Sequence, residues 1–518
     1  MRRGEAFIGN LIALSDNGPH EHILPPNRCG VKPPRKPVRK PMAKNITDPG
    51  KDYARWYQDV IREAELADSA PVRGCMVIRP YGFAIWELMK DDLDARFKET
   101  GHTNAYFPVF IPQSFIHREA QHVEGFSPEL AVVTHAGGRQ LEEPLVVRPT
   151  SETIINHMFS KWIGSYRDLP MLLNQWANVV RWELRPRAFL RTTEFLWQEG
   201  HTAHATEEEA REETMRMLGV YTDFMHRTAA IPVIPGRKTD RERFAGAVDT
   251  YTIEAMMGNG WALQGGTSHY LGTNFAKVFD TTFLDRNNQR QYVHQSSWGV
   301  STRLVGAVIM AHGDENGLRL PPKIAPVQAV VVPVGMQDPR APEVMEAAQA
   351  LAEDLKARGV RVRLDDRENM SPGFKFNHWE VRGVPVRLEL GPRDLEAGQV
   401  TAALRIDGSK TRIPLSGAVD ETKALLESIQ ERMLRDAREF QEARTYEADS
   451  FDDFMERLPE RPGFYRVWWD GSSDDEARIQ EQTSATVRCI PLKQPGGRGK
   501  CFITGRATST TAVLARAY

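Results

Sequence analysis

The chain has 518 residues, 41% apolar and 26% charged, with 67 basic and 69 acidic side chains and a formal net charge of −2. This composition excludes a fibrous or membrane-spanning chain: the apolar share is ordinary for a globular protein, and no run of about 18 uncharged apolar residues occurs that could cross a bilayer. The length calls for roughly two or three domains, and the near-neutral charge gives no electrostatic pointer to nucleic acid, so an RNA partner must be argued from other features.

The start, Met-Arg-Arg, lacks the apolar core and small-residue cleavage site of a secretory signal. Residues 1–41 place Pro25, Pro26, Pro33, Pro34, Pro37 and Pro41 among Arg35, Lys36, Arg39 and Lys40, a composition that cannot bury enough surface to fold. A disordered segment is expected there, either a basic arm against nucleic-acid phosphates or an extension preceding a start at Met42. The cysteines, Cys29, Cys75, Cys489 and Cys501, are few and widely spaced, which argues for free thiols in a reducing, cytoplasmic setting rather than a disulfide scaffold.

From Asp52 onward, Tyr53, Trp56, Tyr57, Val60 and Ile61 recur at helical spacing, and a second helix from about Gly82 carries Ile85, Trp86, Met89, Leu93 and Phe97 on one face. The apolar, proline-punctuated run Ala105–Pro112 reads as an edge or interface strand. Further strands are predicted at Leu145–Arg148, Val179–Glu183, Phe195–Gly200 and Trp261–Gln264. They do not alternate regularly with helices, so the fold class is α+β rather than doubly wound. After Leu320–Lys323 the pattern changes. Val327–Val334, a helix marked by Val344, Ala348, Leu351 and Leu355, and strands at Val360–Leu364 and Val384–Leu390 predict a separate α/β domain. A long amphipathic helix from Val419 leads to a third unit ending at Tyr518. The expected division is 1–41, 42–322, 323–425 and 426–518.

The most informative stretch is Val180-Arg181-Trp182-Glu183 followed by Arg191-Thr192-Thr193-Glu194-Phe195. On a strand Arg181 and Glu183 would share a face, and a hairpin would bring Arg191 and Phe195 across from them. Two guanidiniums and an aromatic plate suit a nucleotide, with forked bonds to phosphate and a ring for the base. An isolated Arg-x-Glu is ordinarily a surface ion pair; its company here is what sets this one apart.

The arrangement resembles motif 2 of class II aminoacyl-tRNA synthetases. Thr100–Pro108 is similar to motif 1, which in the family builds a homodimer interface, and Ser297–Arg303 resembles motif 3. The resemblance implies ATP with Mg²⁺, Arg181 on the α-phosphate, Arg191 on the outer phosphates, Arg303 on the γ-phosphate, Phe195 on adenine and Glu183 near its amino group; Thr192 and Ser301 would also border the ATP. Attack by a carboxylate on a phosphoanhydride needs positioning and charge neutralisation more than proton transfer, so no general base is expected.

Arg148-Pro149-Thr150-Ser151-Glu152 fits a helix N-terminus. It also resembles the amino-acid pocket loop of prolyl-tRNA synthetases, where Thr150 and Glu152 would receive the imino group of L-proline. In Gln264-Gly265-Gly266-Thr267-Ser268-His269, the resemblance assigns Gln264 and Thr267 to ATP and His269 to the pocket, with Trp197 and His201 as further pocket candidates and Arg181 bordering proline as well as the α-phosphate. The segments Leu364–Arg367, Ser371–Phe376 and Leu390–Asp394 resemble the anticodon-binding domain of that family. Arg367, Glu368, Phe374 and Lys375 would read single-stranded bases of tRNA(Pro) from a loop.

The tail resembles the archaeal and eukaryotic type, whose members often bind zinc there through four cysteines. Here Asp470, Asp474 or Asp475 and Thr504 stand at ligand positions beside Cys501, so no structural zinc or other metal site is expected. Roughly a hundred residues separate Glu199 from Trp298, too few for an inserted editing domain of ordinary size. The competing readings are a threonyl-type synthetase, which would need an active-site zinc and a cysteine between motifs 2 and 3, and a non-catalytic tRNA-binding paralogue, which would have shed the phosphate arginines.

Overall fold

The computed structural model describes residues 45–116 and 130–518; the proline-rich segment 1–41 and the roles considered for it lie outside the described residues. Helix α1 (Tyr53–Glu63) buries Trp56, Tyr57, Val60 and Ile61, and α2 (Pro80–Glu99) buries Ile85, Trp86, Met89, Leu93 and Phe97, the stripes their spacing predicts.

The run Ala105–Pro112 is not one strand. Thr103–Asn104 (β1) and Phe110–Pro112 (β2) pair with different sheets, and between them Phe107 N–H donates to the Gln175 side chain because the prolines cannot carry a continuous ladder. Next come the hairpin β3 (Val132–Ala136) and β4 (Arg139–Val147), then α3 (Glu152–Trp162), β5 (Met171–Val180), β6 (Glu194–His204) and α4 (Glu207–Arg227). A capping box between Thr206 and Glu209 starts α4, and three glutamates complement its dipole; its apolar face, with Met217, Leu218, Tyr221 and Phe224, is buried in the main core. The chain continues through β7 (Val233–Arg237), β8 (Asp249–Met256), β9 (Ala262–Gly272), β10 (His294–Ser301) and the buried helix α5 (Arg303–His312).

A five-stranded sheet follows. It is built from β11 (Ala329–Pro333), β12 (Val362–Leu364), β13 (Val386–Leu390), β14 (Gln399–Leu404) and β15 (Lys410–Pro414), in the order β12-β11-β13-β14-β15. Its first three strands are parallel, with α6 (Ala341–Ala357) and α7 (Pro372–Val381) as crossovers. Helix α8 (Ala418–Ala443) then crosses residue 425 without a break.

The tail supplies β16 (Thr445–Glu447), β17 (Phe464–Trp468), α9 (Ser473–Thr483), β18 (Ala485–Pro491) and β19 (Thr511–Arg516). These strands extend the sheet that holds β5–β10 rather than form a sheet of their own: β18 pairs with β7 at Ile490–Arg237 and Pro491–Gly236. The result is an eleven-stranded, mostly antiparallel sheet in the order β16-β17-β19-β18-β7-β8-β9-β10-β6-β5-β1. Gly236 permits the junction, since a Cβ there would lie 2.6 Å from the Cys489 side chain. Among the described residues no helix is long and apolar enough to cross a membrane.

Candidate active site

Strands β6, β8, β9 and β10, with the loop before β6 and the start of α5, wall a cavity of about 360 Å³. The candidates that converge on it are Thr150, Glu152, Arg181, Glu183, Arg191, Thr192, Phe195, Trp197, His201, Gln264, Thr267, His269, Ser301 and Arg303. Gly200 makes the floor possible: a Cβ there would sit 2.0 Å from the Trp298 ring that packs across from it on β10.

At one end lie the cations. The strand expected over Val179–Glu183 stops at Val180, so Arg181 and Glu183 are not alternating residues on one strand face. The chain instead turns through Arg187–Arg191, where Arg187 and Arg191 exchange backbone hydrogen bonds and Phe189 takes φ 61°. Arg181 N–H still donates to Thr193 O, and its guanidinium lies 5.8 Å from the Phe195 ring and 5.4 Å from Trp197, anchored by Nε donating to Pro149 O. Arg191 pairs with Glu183 at 2.6 Å and is 65% exposed, a solvent-facing charge at the cavity mouth. Thr192 is committed locally, donating to Glu194 O.

Arg303 opens α5, with its N–H donating to Ser301 Oγ and its Nε to Leu190 O, and it makes no ion pair among the described residues. Crowding by protein, then the charges of Arg191 and Arg181, push its pKa down to about 10, so it stays protonated at neutral pH. Burial in the cleft likewise lowers Arg181, opposed by Glu152 and Glu199, although solvent reaching it through the mouth screens the effect. Of the three guanidiniums Arg191 alone has an ion-pair partner among the described residues, and their mutual repulsion makes this end of the cavity suited to an anionic group.

The other end is a buried polar network. Arg148, fully buried, donates to Asn178 O, Asn178 Oδ1 and Phe107 O and so fixes the loop that starts α3. There Thr150 donates to Glu152, whose carboxylate sits in the helix's first turn. Glu199 accepts from Ser151 Oγ at 2.5 Å and Gln175 Nε2 at 2.7 Å, and His201 Nε2 lies 3.1 Å away. Burial works to raise the Glu199 carboxyl, but His201, Ser151 and Gln175 outweigh it and hold it below the ordinary range. For His201 burial pulls downward, and Glu199 and Glu152 lift it above its ordinary value. His269, bonded through Nδ1 to Thr250 Oγ1, is pushed down to about 3 by burial and by His201, and is neutral.

Ligand atoms of Glu152, Glu199 and His201 lie within 4.8 Å of one another, close enough in principle to hold a metal ion. Glu199 is already occupied by Ser151, Gln175 and His201, and the two carboxylates that raise His201 make its lone pair less available to a metal. The network suits an ammonium-like ligand better than a metal.

Glu199, Thr250, Glu242, Phe244 and Ser297 also line the cavity, and sequence reasoning did not single them out as site residues. Glu199 follows the quoted motif 2 stretch on the same strand and could have been found as the residue alternating with Trp197 and His201. Phe244 sits in a loop without any motif.

The anticodon candidates lie apart, at the start of α7 and in the loop before it. Arg367 is forked onto buried Asp365 at 2.8 and 2.7 Å with its guanidinium 5.9 Å from the Phe374 ring; Phe374 is 50% exposed and Glu368 is exposed. Lys375 departs from the expectation. It belongs to the helix rather than a loop, and its buried ammonium donates to Asp365 O, which makes it a structural tie. In the tail, Asp470 pairs with Arg506 and Asp475 caps α9 at Ser472, so these carboxylates serve local structure and the set does not fit a thiolate metal site.

An antiparallel sheet bearing converging arginines on Arg-x-Glu, Arg-x-x-x-Phe and a helix-opening arginine defines a class II aminoacyl-tRNA synthetase core. The family profile "tRNA synthetase class II core domain (G, H, P, S and T)" matches residues 134–312, "Anticodon binding domain" matches 328–425, and "Prolyl-tRNA synthetase, C-terminal" matches 451–518. The chain belongs to the proline--tRNA ligase family. It is 54% identical over 478 residues to the proline--tRNA ligase of Roseiflexus sp. (strain RS-1), covering 91% of this chain and 99% of the relative. It is 52% identical over 479 residues to the chloroplastic/mitochondrial one of Arabidopsis thaliana, covering 91% and 88%. The crystal structure of prolyl-tRNA synthetase from Cryptosporidium parvum complexed with halofuginone and AMPPNP is similar at a TM-score of 0.87 and 39% identity, covering 92% of this chain and 99% of that one.

Proposed function

We propose that the enzyme joins L-proline to ATP and then to tRNA(Pro), with the cation end of the cavity taking the triphosphate and the carboxylate end the imino group. The observation that carries this reading is that three guanidiniums far apart in sequence share one cavity with Glu152. In the first step a proline carboxylate oxygen attacks the α-phosphorus and pyrophosphate leaves. In the second a ribose hydroxyl of the tRNA end attacks the acyl carbon and AMP leaves. Arg181 neutralises the α-phosphate, Arg191 and Arg303 the outer phosphates, Phe195 stacks on adenine, and Glu183, Thr192, Gln264, Thr267 and Ser301 border the nucleotide. Thr150, Glu152, Trp197, His201 and His269 hold proline. Mg²⁺ accompanies ATP as its chelate and shares the charge neutralisation.

Arg367, Glu368 and Phe374 are the proposed readers of the anticodon, within a division at 42–322, 323–425 and 426–518. A homodimer is supported by Tyr106, 72% exposed on the segment resembling motif 1, and by Phe110 just after it and Trp162 at the end of α3, 48% and 44% exposed, the last with its ring 6.0 Å from Phe107. A cytoplasmic setting is consistent with the free thiols Cys75, Cys489 and Cys501.

A threonyl-type site would need a cysteine, and none of the residues lining the cavity is one. Proline-dependent exchange of pyrophosphate into ATP, without tRNA, tests the reading; exchange driven by threonine and not by proline would overturn it. The segment between β6 and β10 holds sheet strands and α4 rather than an inserted domain, so alanyl-tRNA is expected to survive incubation with the enzyme.

A further inference from the structure

Residues 238–248 join β7 to β8 and wall the amino-acid end of the cavity through Glu242 and Phe244. On its inner side the Phe244 ring lies 4.6 Å from His269 at 35°, and Phe244 N–H donates to Thr250 Oγ1, the same hydroxyl that is bonded to His269 Nδ1. Phe244 and His269 are therefore located by one another, and a shift of the segment alters the width of the pocket.

On its outer side the segment is tied to the tail. Lys238 Nζ donates to Arg488 O at 2.8 Å, Thr239 Oγ1 to Glu476 Oε2 at 2.8 Å, and Arg241 Nη2 to Gln480 Oε1 at 3.2 Å. Glu476 and Gln480 stand one turn apart on α9 and present one face. Glu476 is only 6% exposed and has no cationic partner among the described residues within ion-pair distance. Burial pushes its carboxyl up to about 7, eased by the Thr239 hydrogen bond and Arg241 and reinforced by Glu242 and Asp240. A buried carboxyl held only by a hydroxyl is costly to the fold, which points to a use other than stability.

We propose that Glu476 is a positioning residue: through Thr239 it holds the 238–248 wall against His269, so the tail sets how closely the pocket fits its amino acid. The inference rests on the reading of this cavity as the proline site. Proline exceeds alanine by methylenes that only a close-fitting wall can sense, so a slack wall costs discrimination before it costs chemistry.

The test uses the full chain in pyrophosphate exchange, comparing Glu476→Ala, Thr239→Val and Glu476→Gln with the parent. Glu476→Ala and Thr239→Val are expected to raise KM for proline about tenfold and lower the proline-to-alanine ratio of kcat/KM several-fold, with KM for ATP within about twofold. Glu476→Gln, which retains a carbonyl acceptor for Thr239, is expected to restore the parent values. An unchanged KM for proline in both Glu476→Ala and Thr239→Val, or an equal rise for ATP, overturns the proposal. If Glu476→Ala does not fold, Thr239→Val decides alone. A parent that exchanges with some other amino acid strikes the reading of the cavity, whereas an active parent with unaffected variants strikes only the role of Glu476.

Discussion

The two ends of the cavity are built on opposite plans. At the amino-acid end Glu199, Ser151, Gln175 and His201 are buried and bonded to one another before any ligand arrives. At the proposed phosphate end Arg191 is 65% exposed on a loop, and Arg303 has no anionic partner among the described residues. A small rigid ligand is best met by a fixed shape, whereas a flexible polyanion brings its own charge and can order the side chains that neutralise it.

The contrast can be broken most forcefully at Arg303. Arg303→Ala should lower kcat/KM for exchange about a thousandfold, or about 4 kcal/mol, and Arg303→Lys should recover little because the forked geometry is lost. A loss of less than tenfold would remove Arg303 from the phosphate site.

Glu199→Gln should act at the other end, raising KM for proline about a hundredfold while KM for ATP holds. It should also cost about 3 kcal/mol in urea denaturation, because His201 loses its buried partner. An effect on ATP of equal size would mean that the ends are not independent.

Arg191→Ala should cost only about tenfold at low salt and less at about 0.5 M, as expected for an exposed charge. The smallest effect is expected from alkali. Arg303, held at about 10, is the protonated form below that value and loses charge above it, so KM for ATP should stay flat to about pH 9 and rise only about twofold by pH 10.

The sequence made the composition of the site legible because motif residues are read by spacing, and the loop from Arg148 to Glu152 keeps its meaning whether read as a cap or as a pocket. Geometry was harder. Alternation placed Arg181 and Glu183 on one strand, but the strand ends at Val180, with one last bond from Arg181 N–H to Thr193 O before the chain leaves the sheet toward the tight turn at Arg187–Arg191. Lys375 looked like a base reader since nothing local reveals that Asp365 O would claim its ammonium. Phe244 and Glu476 were invisible for a related reason: each acquires its role only from a partner more than twenty residues away, His269 in one case and Thr239 in the other.

The pairing of β18 with β7 has a consequence for biogenesis. Until residues 490–492 have emerged from the ribosome, the backbone of Pro235–Arg237 is left without its cross-strand partners, a short open edge that another unfinished chain could dock upon. Translation thus leaves this edge open over about 250 residues of further synthesis, and the segment that closes it is the one carrying Ile490 and Pro491.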